Sequence, residues 1–432
     1  MTTTDAPSRA ALREQKADAR KHRPAHRRSD RSHRVLRALS LVVVGVFAFG
    51  ATAAGAVYYR FQNNIESVDV SALLGEDPEA PKEPTGITDP NAGLPITILL
   101  LGSDDRSGVN AELGGENPGM RSDTTIVLHI SADRSRMEMV SIPRDSLVDV
   151  PSCTMTDGST TSASEDTMFN AIFARGWDTG GDIASAVGCT QKTVESLTGL
   201  DLDGFALVDF AGFQGMIDAL GGVPMCIPED IESPDASLYL SAGVQTLNGT
   251  QALGLARARS GTGPNMDGSD LNRIGRQQEL LAATMRAVLD QNILTNGPAL
   301  LQFVNAATSS LTASPDLASI PNMSGLAYSM RGISSDKITF MTIPVATATN
   351  KNRVVWTSEA DTIWSNMVAD QPIVTVEEPA VPETPTAPEA PVDPATPVEP
   401  AAPAAPTEPA PVETKDPGKE AFTSADTTSV CP

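Results

Sequence analysis

Residues 96–106 read ITILLLGSDDR, a short apolar run that gives way abruptly to glycine and charged side chains. The run at 96–101 is continuously apolar and ends at Gly102, which is the pattern of a buried strand. Two further runs follow, TTIVLHI at 124–130 and MEMVSI at 137–142, with a polar turn between them. We predict that these two runs form a β-hairpin.

Charged side chains stand at the ends of the three predicted strands. They are Asp104, Arg106, Arg121, Asp123 and Arg144. Functional groups in sheet-based folds commonly gather at strand ends and in the loops beyond them. A single aspartate in such a place often serves only as a turn or helix cap. Two aspartates among several arginines instead predict a magnesium site that faces phosphates, because Mg²⁺ is typically held by one or two carboxylates plus phosphate oxygens.

A second stretch, LARARSGTGPNMDGSDLNRIGRQQ at 255–278, concentrates arginine in a chain whose formal net charge is −23. Its arginines are Arg257, Arg259, Arg273 and Arg276. The arginine side chain offers planar, bidentate donors that match phosphate and stays charged at any working pH. Arg257 and Arg259 are two residues apart, as are two side chains on the same face of an extended segment.

The second half of this stretch predicts a helix that begins near residue 271, with Ser269 or Asp270 as its cap. That helix places Arg273 and Gln277 on one face, because they are four residues apart. A solvated charged loop followed by an amphipathic helix is the alternative for the whole stretch.

Helices alternate with strands through the middle and late parts of the chain. The predicted helices cover 169–175, 182–197, 211–220 and 358–368, and the predicted strands cover 205–210, 223–227 and 336–343. This alternation predicts a sheet with helices on both sides. Neither a GxGxxG nor a Walker A pattern occurs, so a nucleotide-binding fold has no support.

Residues 38–59 are uncharged and predominantly apolar, and the run is long enough to span a bilayer as a helix. Residues 1–37 carry eleven Lys/Arg against four Asp/Glu. The positive-inside rule therefore places this basic tail in the cytoplasm and everything after the helix outside. A cleaved signal peptide is disfavoured, because the apolar run is too long and the tail before it too extended.

The rest of the chain divides by composition. Residues 60–94 are polar and proline-bearing and predict an extracytoplasmic stalk, and residues 95–372 hold the predicted catalytic domain. Residues 373–432 are rich in proline and predict a disordered tail. The acidic balance outside the basic tail argues against nucleic acid as a partner.

Cys153, Cys189, Cys226 and Cys431 all lie in the part that the predicted topology puts outside the membrane, where disulfides form readily. Four cysteines allow three pairings, and the sequence leaves the pairing open. Of the three we favour Cys153–Cys189 with Cys226–Cys431.

Several strings occur in an order that resembles one protein family. They are LLLGSDDR, RSDTTIVLHI, MVSIPRDSLV, FNAIFARG, DLDGFALVDFAGFQGMIDALGGVPMCI and LNGTQALGLARARSG…GSDLNRIGRQQ. Together they resemble the LytR-CpsA-Psr family, also called LCP ligases, across residues 96–289. The Ala-rich composition, the NRVVW segment and the late cysteine are similar to those of actinobacterial members.

The resemblance implies a three-layer α/β/α domain with a central mixed β-sheet, plus an N-terminal transmembrane helix and disordered tails. It implies a phosphotransferase that moves a glycopolymer from a polyprenyl-pyrophosphate lipid carrier to peptidoglycan in cell-wall assembly. The implied cofactor is Mg²⁺, with Mn²⁺ as an alternative. The implied partners are the lipid-linked glycan and peptidoglycan, and the anchor places the enzyme in the cell membrane as a single-pass protein.

The resemblance also implies roles for individual residues. It makes Asp104 and Asp123 the metal ligands. It makes the catalytic set Arg144, Arg257, Arg259, Asp270 and Arg273. The residues that would contact the pyrophosphate are Arg106, Arg121, Arg144, Arg257, Arg259, Arg273 and Gln277. Arg276 stands beside this set, and the Gly-rich loop at 261–268 is a candidate mobile flap.

The sequence leaves three matters open. The acceptor hydroxyl needs a base, and Asp105 and Asp270 are both candidates. The same site would serve a polyprenyl-pyrophosphate phosphatase or pyrophosphatase, and a membrane-bound regulator or a non-catalytic wall scaffold are further alternatives. The identity of the polymer, the acceptor and the oligomeric state are not encoded in any motif that we identify.

Overall fold

The computed structural model describes residues 29–75, 89–104, 110, 119–290, 297–374 and 414–431. The chain divides into two compact units, residues 1–60 and residues 61–432. The first unit contains most of the long helix α1 (Ser29–Asn64), and the second is an α/β domain.

The strands are numbered along the chain. They are β1 Glu66–Ser67, β2 Ile96–Ser103, β3 Ser122–Ile130, β4 Met137–Ile142, β5 Leu147–Val150, β6 Ser164–Met168, β7 Gly204–Val208, β8 Val223–Ile227, β9 Ile231–Ser233, β10 Leu238–Leu240, β11 Gly243–Leu247, β12 Leu311–Ala313, β13 Ile338–Thr342, β14 Val345–Thr347, β15 Val354–Trp356 and β16 Phe422–Thr423. The α-helices after α1 are α2 Ser71–Leu74, α3 Asn170–Gly180, α4 Ile183–Thr198, α5 Phe210–Ala219, α6 Gly249–Arg257, α7 Asp270–Asp290, α8 Gly297–Thr308, α9 Ile320–Ser329 and α10 Ser358–Val368.

A mixed sheet of eight strands forms the centre of the described domain, in the order β1-β12-β7-β2-β3-β4-β13-β16. Its middle consists of the three strands that the apolar runs predict, with β2 antiparallel to β3 and β3 antiparallel to β4. β7 lies parallel to β2, and β13 lies parallel to β4. The prediction of a central mixed sheet that contains the β3–β4 hairpin is therefore confirmed.

Helices cover both faces of this sheet. Leu99 and Leu101 of β2 lie in a core that includes residues of α3, α4 and α10. Ile96 and Ile98 lie in a second core, which includes residues of α7 and α9. Successive side chains of a strand point to opposite faces, so the two cores are the two sides of the sheet. A third core joins β8–β11 to helices α5, α6 and α7. The three-layer α/β/α prediction is confirmed.

Helix ends follow the capping signals in the sequence. The Asp182 side chain accepts the Ser185 backbone N–H at the start of α4, and Gly199 ends the helix in the left-handed conformation. Helix α6 was not predicted, although it carries a complete capping box formed by Asn248 and Gln251. This helix matters for the site because Arg257 is its last residue.

Residues 61–75 and 89–94 belong to the folded domain, which corrects the predicted stalk over 60–94. In the first segment, β1 pairs with β12 at the edge of the sheet. The second segment is held by the buried Arg134, whose guanidinium donates to Asp89 Oδ2 at 2.9 Å and to two backbone carbonyls of the same turn. A turn that is held by hydrogen bonds needs few apolar residues. The composition of this segment therefore resembles that of a linker. The remainder of the predicted stalk lies outside the described residues.

Residues 414–431 also fold onto the domain, which corrects part of the predicted disordered tail over 373–432. We call residues 414–431 the C-terminal strap. β16 of the strap pairs with β13, and the Phe422 ring stacks on Phe340 with centroids 5.4 Å apart. The proline-rich residues 375–413 lie outside the described residues.

The C-terminal strap crosses helix α7 at Gly275. A Cβ atom at this position would lie 2.2 Å from the Pro417 carbonyl oxygen, so only glycine permits the approach. One turn further along α7, the buried Gln278 side chain accepts the Gly418 backbone N–H at 3.0 Å. The strap is therefore fitted to the surface of α7.

Two disulfides confirm the favoured pairing. Cys153 bonds to Cys189 with their Cα atoms 5.2 Å apart, and this bond joins the loop after β5 to α4. Cys226 bonds to Cys431 with their Cα atoms 5.6 Å apart, and this bond ties the end of the C-terminal strap to β8.

Helix α1 contains the predicted membrane span. Among the described residues, Leu36–Asn64 is the one stretch that is both long and apolar enough to cross a bilayer. The predicted span at 38–59 lies within it.

Replacing Gly275 by alanine should lower the free energy of unfolding by about 1–3 kcal/mol, because the added methyl group must displace the strap backbone. The matched control is Gly215→Ala in helix α5, where the atom nearest to an added Cβ is Ala306 Cβ at an ordinary 3.9 Å. That change should leave Tm unchanged or raise it, since alanine is the better helix former. Thermal unfolding of the purified full-length protein in detergent measures both. Equal Tm values for the two variants would contradict the proposed fit of strap to helix.

Candidate active site

The predicted site residues of the central strands gather at one edge of the sheet. Because neighbouring strands are antiparallel, the C-terminal ends of β2 and β4 flank the start of β3. Asp104 directly follows β2, Asp123 is the second residue of β3, and Arg144 lies two residues beyond β4. The carboxylates and the guanidinium that the sequence singled out thus share this edge.

Four of these residues form a closed ring of contacts across three elements. Arg144 Nη1 pairs with Asp123 Oδ1 at 2.5 Å, and the Arg144 backbone N–H donates to Asp270 Oδ2 at 3.0 Å. Arg273 Nη2 pairs with Asp270 Oδ1 at 2.6 Å and donates to the Asp123 carbonyl at 2.9 Å. We call this set the four-residue ring. It fixes the start of helix α7 against the start of β3 and the loop after β4.

The Asp270–Arg273 pair in the ring is deeply buried, with side chains 6% and 4% exposed. Burial raises the pKa of Asp270, and the positive charge of Arg273 opposes that rise. Burial likewise lowers the pKa of Arg273, against the effect of Asp270. Each charge offsets the desolvation of the other. A carboxylate enclosed in this way positions α7, and its burial argues against the alternative that it serves as the base for an acceptor hydroxyl.

Arg257 and Arg259 line an open cleft of about 360 Å³ beside the ring. Arg257 ends helix α6, so the prediction that the two arginines share one extended segment is wrong. The Arg257 guanidinium lies over the Phe210 ring, 4.7 Å from its centroid. Arg259 Nη2 donates to the Gly268 carbonyl at 3.4 Å. Both side chains are half-buried, so each guanidinium is held from one side and remains accessible from the other.

The electrostatics of the cleft and the ring are coupled. Besides burial, the charges of Arg144 and Arg259 both lower the pKa of Arg273. Guanidinium groups interact in this way only when they are close in space. Arg144, Arg259 and Arg273 therefore lie close together at this edge, beside the carboxylates of Asp123 and Asp270.

Arg276 and Gln277 brace the segment between α6 and α7. Arg276 donates to the carbonyls of Asn265 and Ala258, and burial lowers its pKa to about 10. Gln277 Nε2 donates to the Ala256 carbonyl at 2.9 Å, in the last turn of α6. This carbonyl would otherwise lack a helical partner. Gln277 is one of the residues implied to contact the pyrophosphate, but its side-chain amide already donates to this backbone carbonyl.

The Gly-rich loop at 261–268 is paired with a neighbouring strand in this structure. Thr262 and Glu232 of β9 exchange two backbone hydrogen bonds, of 2.8 and 3.1 Å. A Cβ atom on Gly261 would lie 2.0 Å from the Glu232 carbonyl oxygen, so glycine allows this approach. The predicted flap is therefore docked against β9.

Asp104 and Asp123 are the residues that would hold a divalent cation. Asp104 Oδ1 accepts the Arg121 backbone N–H at 2.7 Å, and Asp123 Oδ1 is paired with Arg144. Among the described residues no three His, Cys, Asp or Glu side chains come together as a metal cluster. Two carboxylates nevertheless fit Mg²⁺, which takes the rest of its shell from water and phosphate oxygens. Of the other residues in the predicted set, the exposed Arg121 contributes backbone contacts, and Arg106 lies outside the described residues.

The sequence missed two features of the site. Asp145 Oδ1 lies 3.9 Å from Arg144 Nε and 3.6 Å from Arg353 Nη1, which brings the β14–β15 hairpin beside the loop after β4. The sequence did carry a signal for Asp145, because this residue directly follows the arginine in the string IPRD. Phe210, which supports Arg257, had no signal, because an aromatic residue at the start of a helix usually indicates core packing.

Comparison with known proteins adds an independent finding. The family model described as LytR_cpsA_psr family matches residues 58–369. The cell wall biosynthesis protein LcpA of Corynebacterium glutamicum is 29% identical over 277 residues, which are 60% of this chain and 52% of LcpA. The probable cell wall biosynthesis protein LcpB of the same organism is 31% identical over 279 residues, 62% of this chain and 60% of LcpB. The similarity thus spans only 52% and 60% of the lengths of these two relatives.

A third relative carries a more specific name. The polyisoprenyl-teichoic acid–peptidoglycan teichoic acid transferase TagV of Bacillus subtilis is 31% identical over 194 residues. Those residues are 44% of this chain and 42% of TagV.

Replacing Asp270 by asparagine should lower the free energy of unfolding by about 3–5 kcal/mol, because it leaves the Arg273 charge buried without its partner. Adding Arg273→Met to this variant should recover part of the loss. The control is Asp336→Ala, which breaks an exposed pair with Lys337 and should produce no measurable change. Urea unfolding of the three variants in detergent provides the comparison. If Asp270→Asn unfolds at the same urea concentration as the control, the ring does not hold the site together.

Proposed function

Since the chain belongs to the LytR_cpsA_psr family, we propose that it is a phosphotransferase that moves a glycopolymer from a polyprenyl-pyrophosphate carrier to peptidoglycan. The names of its relatives support this class of reaction, because they include cell wall biosynthesis proteins and a teichoic acid transferase that acts on peptidoglycan. One observation carries the proposal: the four-residue ring lies beside a cleft that is lined by two further half-buried guanidiniums.

A pyrophosphate linkage breaks when charge on its bridging and equatorial oxygens is neutralised in the transition state. Arg257 and Arg259 present guanidiniums in the cleft, each fixed by a contact with the protein. Arg144 presents a third guanidinium at the strand edge, with its side chain 20% exposed. Groups fixed before the substrate arrives need little reorganisation during the reaction, which is what makes such stabilisation effective.

In this proposal Asp270 and Arg273 act by holding the other groups in place. Their side chains are almost fully enclosed, so neither presents a face to substrate, although the charge of Arg273 adds to the field at the edge. Arg144 depends on this pair, because its backbone N–H donates to Asp270. The catalytic set implied by the family resemblance therefore divides into substrate-facing and positioning members.

Asp104 and Asp123 would hold the magnesium ion at the end of β2 and the start of β3. When bound there, Mg²⁺ would supply charge stabilisation at the phosphate oxygens. Asp123 also pairs with Arg144, so the same carboxylate orients a substrate-facing guanidinium.

We place the α/β domain outside the cell membrane, with helix α1 as a single-pass anchor and the basic residues 1–37 in the cytoplasm. The apolar length of Leu36–Asn64 and the positive charge before it support this topology. Two disulfides in the domain are consistent with an oxidising compartment. The lipid-linked glycan, peptidoglycan and the bilayer are then the partners.

Arg144→Ala and Arg257→Ala should each lower transfer by at least about 10²-fold, because each removes a donor from the developing charge. Both should leave the fold intact, since the Arg144 backbone N–H that contacts Asp270 survives the substitution. Arg331→Ala, at an exposed arginine that stacks on Tyr328, is the control. The assay follows transfer of a polyprenyl-pyrophosphate-linked saccharide to uncrosslinked peptidoglycan strands, with Tm measured in parallel. Full polymer attachment in cells that carry either variant would refute the assignment.

Removal of divalent cations should stop both transfer and hydrolysis of the donor. EDTA treatment tests this, and added Mg²⁺ should restore the rate. Asp104→Asn and Asp123→Asn should raise the Mg²⁺ concentration needed for half the maximal rate, because each weakens the oxygen ligand set. Undiminished donor cleavage in EDTA would rule out the metal.

A further inference from the structure

The cleft that contains Arg257 and Arg259 also contains one carboxylate. Its lining residues are Ser233, Asp235, Ala236, Arg257, Arg259, Ser260 and Gly268. Among these residues of the described chain, Asp235 is the only acid. It lies in the turn between β9 and β10, a region that no family motif identified in the sequence.

The Asp235 carboxylate is held in place by its neighbours. The Ser260 hydroxyl donates to Asp235 Oδ2 at 3.0 Å, and the buried Ser233 hydroxyl donates to the Ser260 carbonyl at 2.7 Å. The pairing of Thr262 with Glu232 fixes the same two segments against each other. Ser260, held in place by the docking of the adjacent Gly-rich loop, therefore orients this carboxylate within the cleft.

The environment of Asp235 suits a base better than that of the other aspartates near the site. Asp270 is enclosed and committed to Arg273 and Arg144. Asp145 Oδ1 is already paired with the guanidiniums of Arg144 and Arg353. Asp235 is exposed, and the partner that holds it is a neutral hydroxyl.

The remaining aspartates near the site have other functions or lie outside the structure. Asp104 and Asp123 are the residues proposed to hold the metal. Asp105, the other candidate base from the sequence, lies outside the described residues.

We propose that Asp235 is the general base that activates the acceptor hydroxyl, an inference that rests on the proposed phosphotransfer. The acceptor sugar oxygen forms a bond to the glycan-bearing phosphorus as its proton passes to the Asp235 carboxylate. The bond from that phosphorus to the bridging oxygen breaks, and polyprenyl phosphate leaves with the bridging oxygen. Arg257 and Arg259, on the walls of the same cleft, hold the phosphate oxygens while this happens.

This placement also assigns a function to the Gly-rich loop. The Ser260 hydroxyl, directly before the loop, donates to the Asp235 carboxylate, and the Gly268 carbonyl of the loop accepts from Arg259. The loop thus connects a base to a phosphate-binding group within one cleft. A general base contributes through proximity to the hydroxyl, so it must lie where the acceptor meets the phosphate.

The test compares Asp235→Asn, Asp235→Glu and the control Asp230→Asn in full-length protein in detergent. Asp230 accepts the Ala242 backbone N–H outside the cleft lining, and asparagine preserves that acceptor. The donor is synthetic polyprenyl-pyrophosphate-linked N-acetylglucosamine, and the acceptor is uncrosslinked peptidoglycan. Donor Kd, transfer kcat and KM, and the pH–rate profile are measured for each variant.

Asp235→Asn should lower transfer kcat about 10²- to 10⁴-fold. Donor Kd should stay within about threefold of the wild-type value, because the lost group acts on the acceptor and not on the donor. The pH–rate profile of this variant should differ from that of wild type, because one carboxylate is lost from the cleft while those proposed to hold the metal remain. Asp235→Glu should recover part of kcat, and Asp230→Asn should behave as wild type.

A second acceptor separates a base from a residue that only shapes the cleft. With 2,2,2-trifluoroethanol, whose hydroxyl loses its proton more readily, the deficit of Asp235→Asn relative to wild type should shrink. An equal deficit with both acceptors, an unchanged pH–rate profile, or wild-type kcat in Asp235→Asn would each overturn the assignment. A wild-type protein that neither cleaves the donor nor transfers from it would instead overturn the proposed function, and this inference with it.

Discussion

The buried ion pair between Asp270 and Arg273 is the interaction on which the rest of the site depends. The cost of removing two charges from water is offset by their mutual attraction together with further hydrogen bonds to each partner. Here the second Asp270 oxygen accepts the Arg144 backbone N–H, and Arg273 also donates to the Asp123 carbonyl. The need to satisfy this pair fixes the loop after β4 and the start of β3 at the N-terminus of α7. The guanidinium of Arg144 is oriented as a consequence.

Helix α7 transmits this constraint to the rest of the domain because each part of its first two turns contacts a different element. Arg273 contacts the sheet edge, Arg276 contacts the segment after α6, and Gly275 lies under the C-terminal strap. The buried Gln278 donates to the Ser141 hydroxyl of β4 and accepts from the strap. Residues 414–431 are thereby connected to the site through one helix, although Gly418 lies 140 residues from Gln278 in the sequence.

The parts of this structure that the sequence predicts are those with local signals. The apolar run at 96–101 predicts a central strand, and Asp182 with Gly199 predicts the ends of α4, because each signal lies within the element that it specifies. The C-terminal strap has no such signal: its one aromatic side chain, Phe422, packs on Phe340, and proline-rich sequence precedes it. Asp235 was missed for a related reason. An isolated aspartate in a turn resembles any solvated turn residue until the fold places it beside Arg257.

The arginines of the stretch at 255–278 look equivalent in the sequence but differ in how deeply they are buried. Arg257, Arg259, Arg273 and Arg276 occur within twenty residues of one another and have identical chemistry. Arg273 and Arg276 are buried and engaged by backbone carbonyls, whereas Arg257 and Arg259 are half-buried in an open cleft. A buried guanidinium that donates to backbone carbonyls cannot move toward a phosphate without leaving those carbonyls unsatisfied. Burial therefore makes the first pair part of the framework and leaves the second pair facing the cleft, a division that depends on three-dimensional contacts and not on the spacing of the motif.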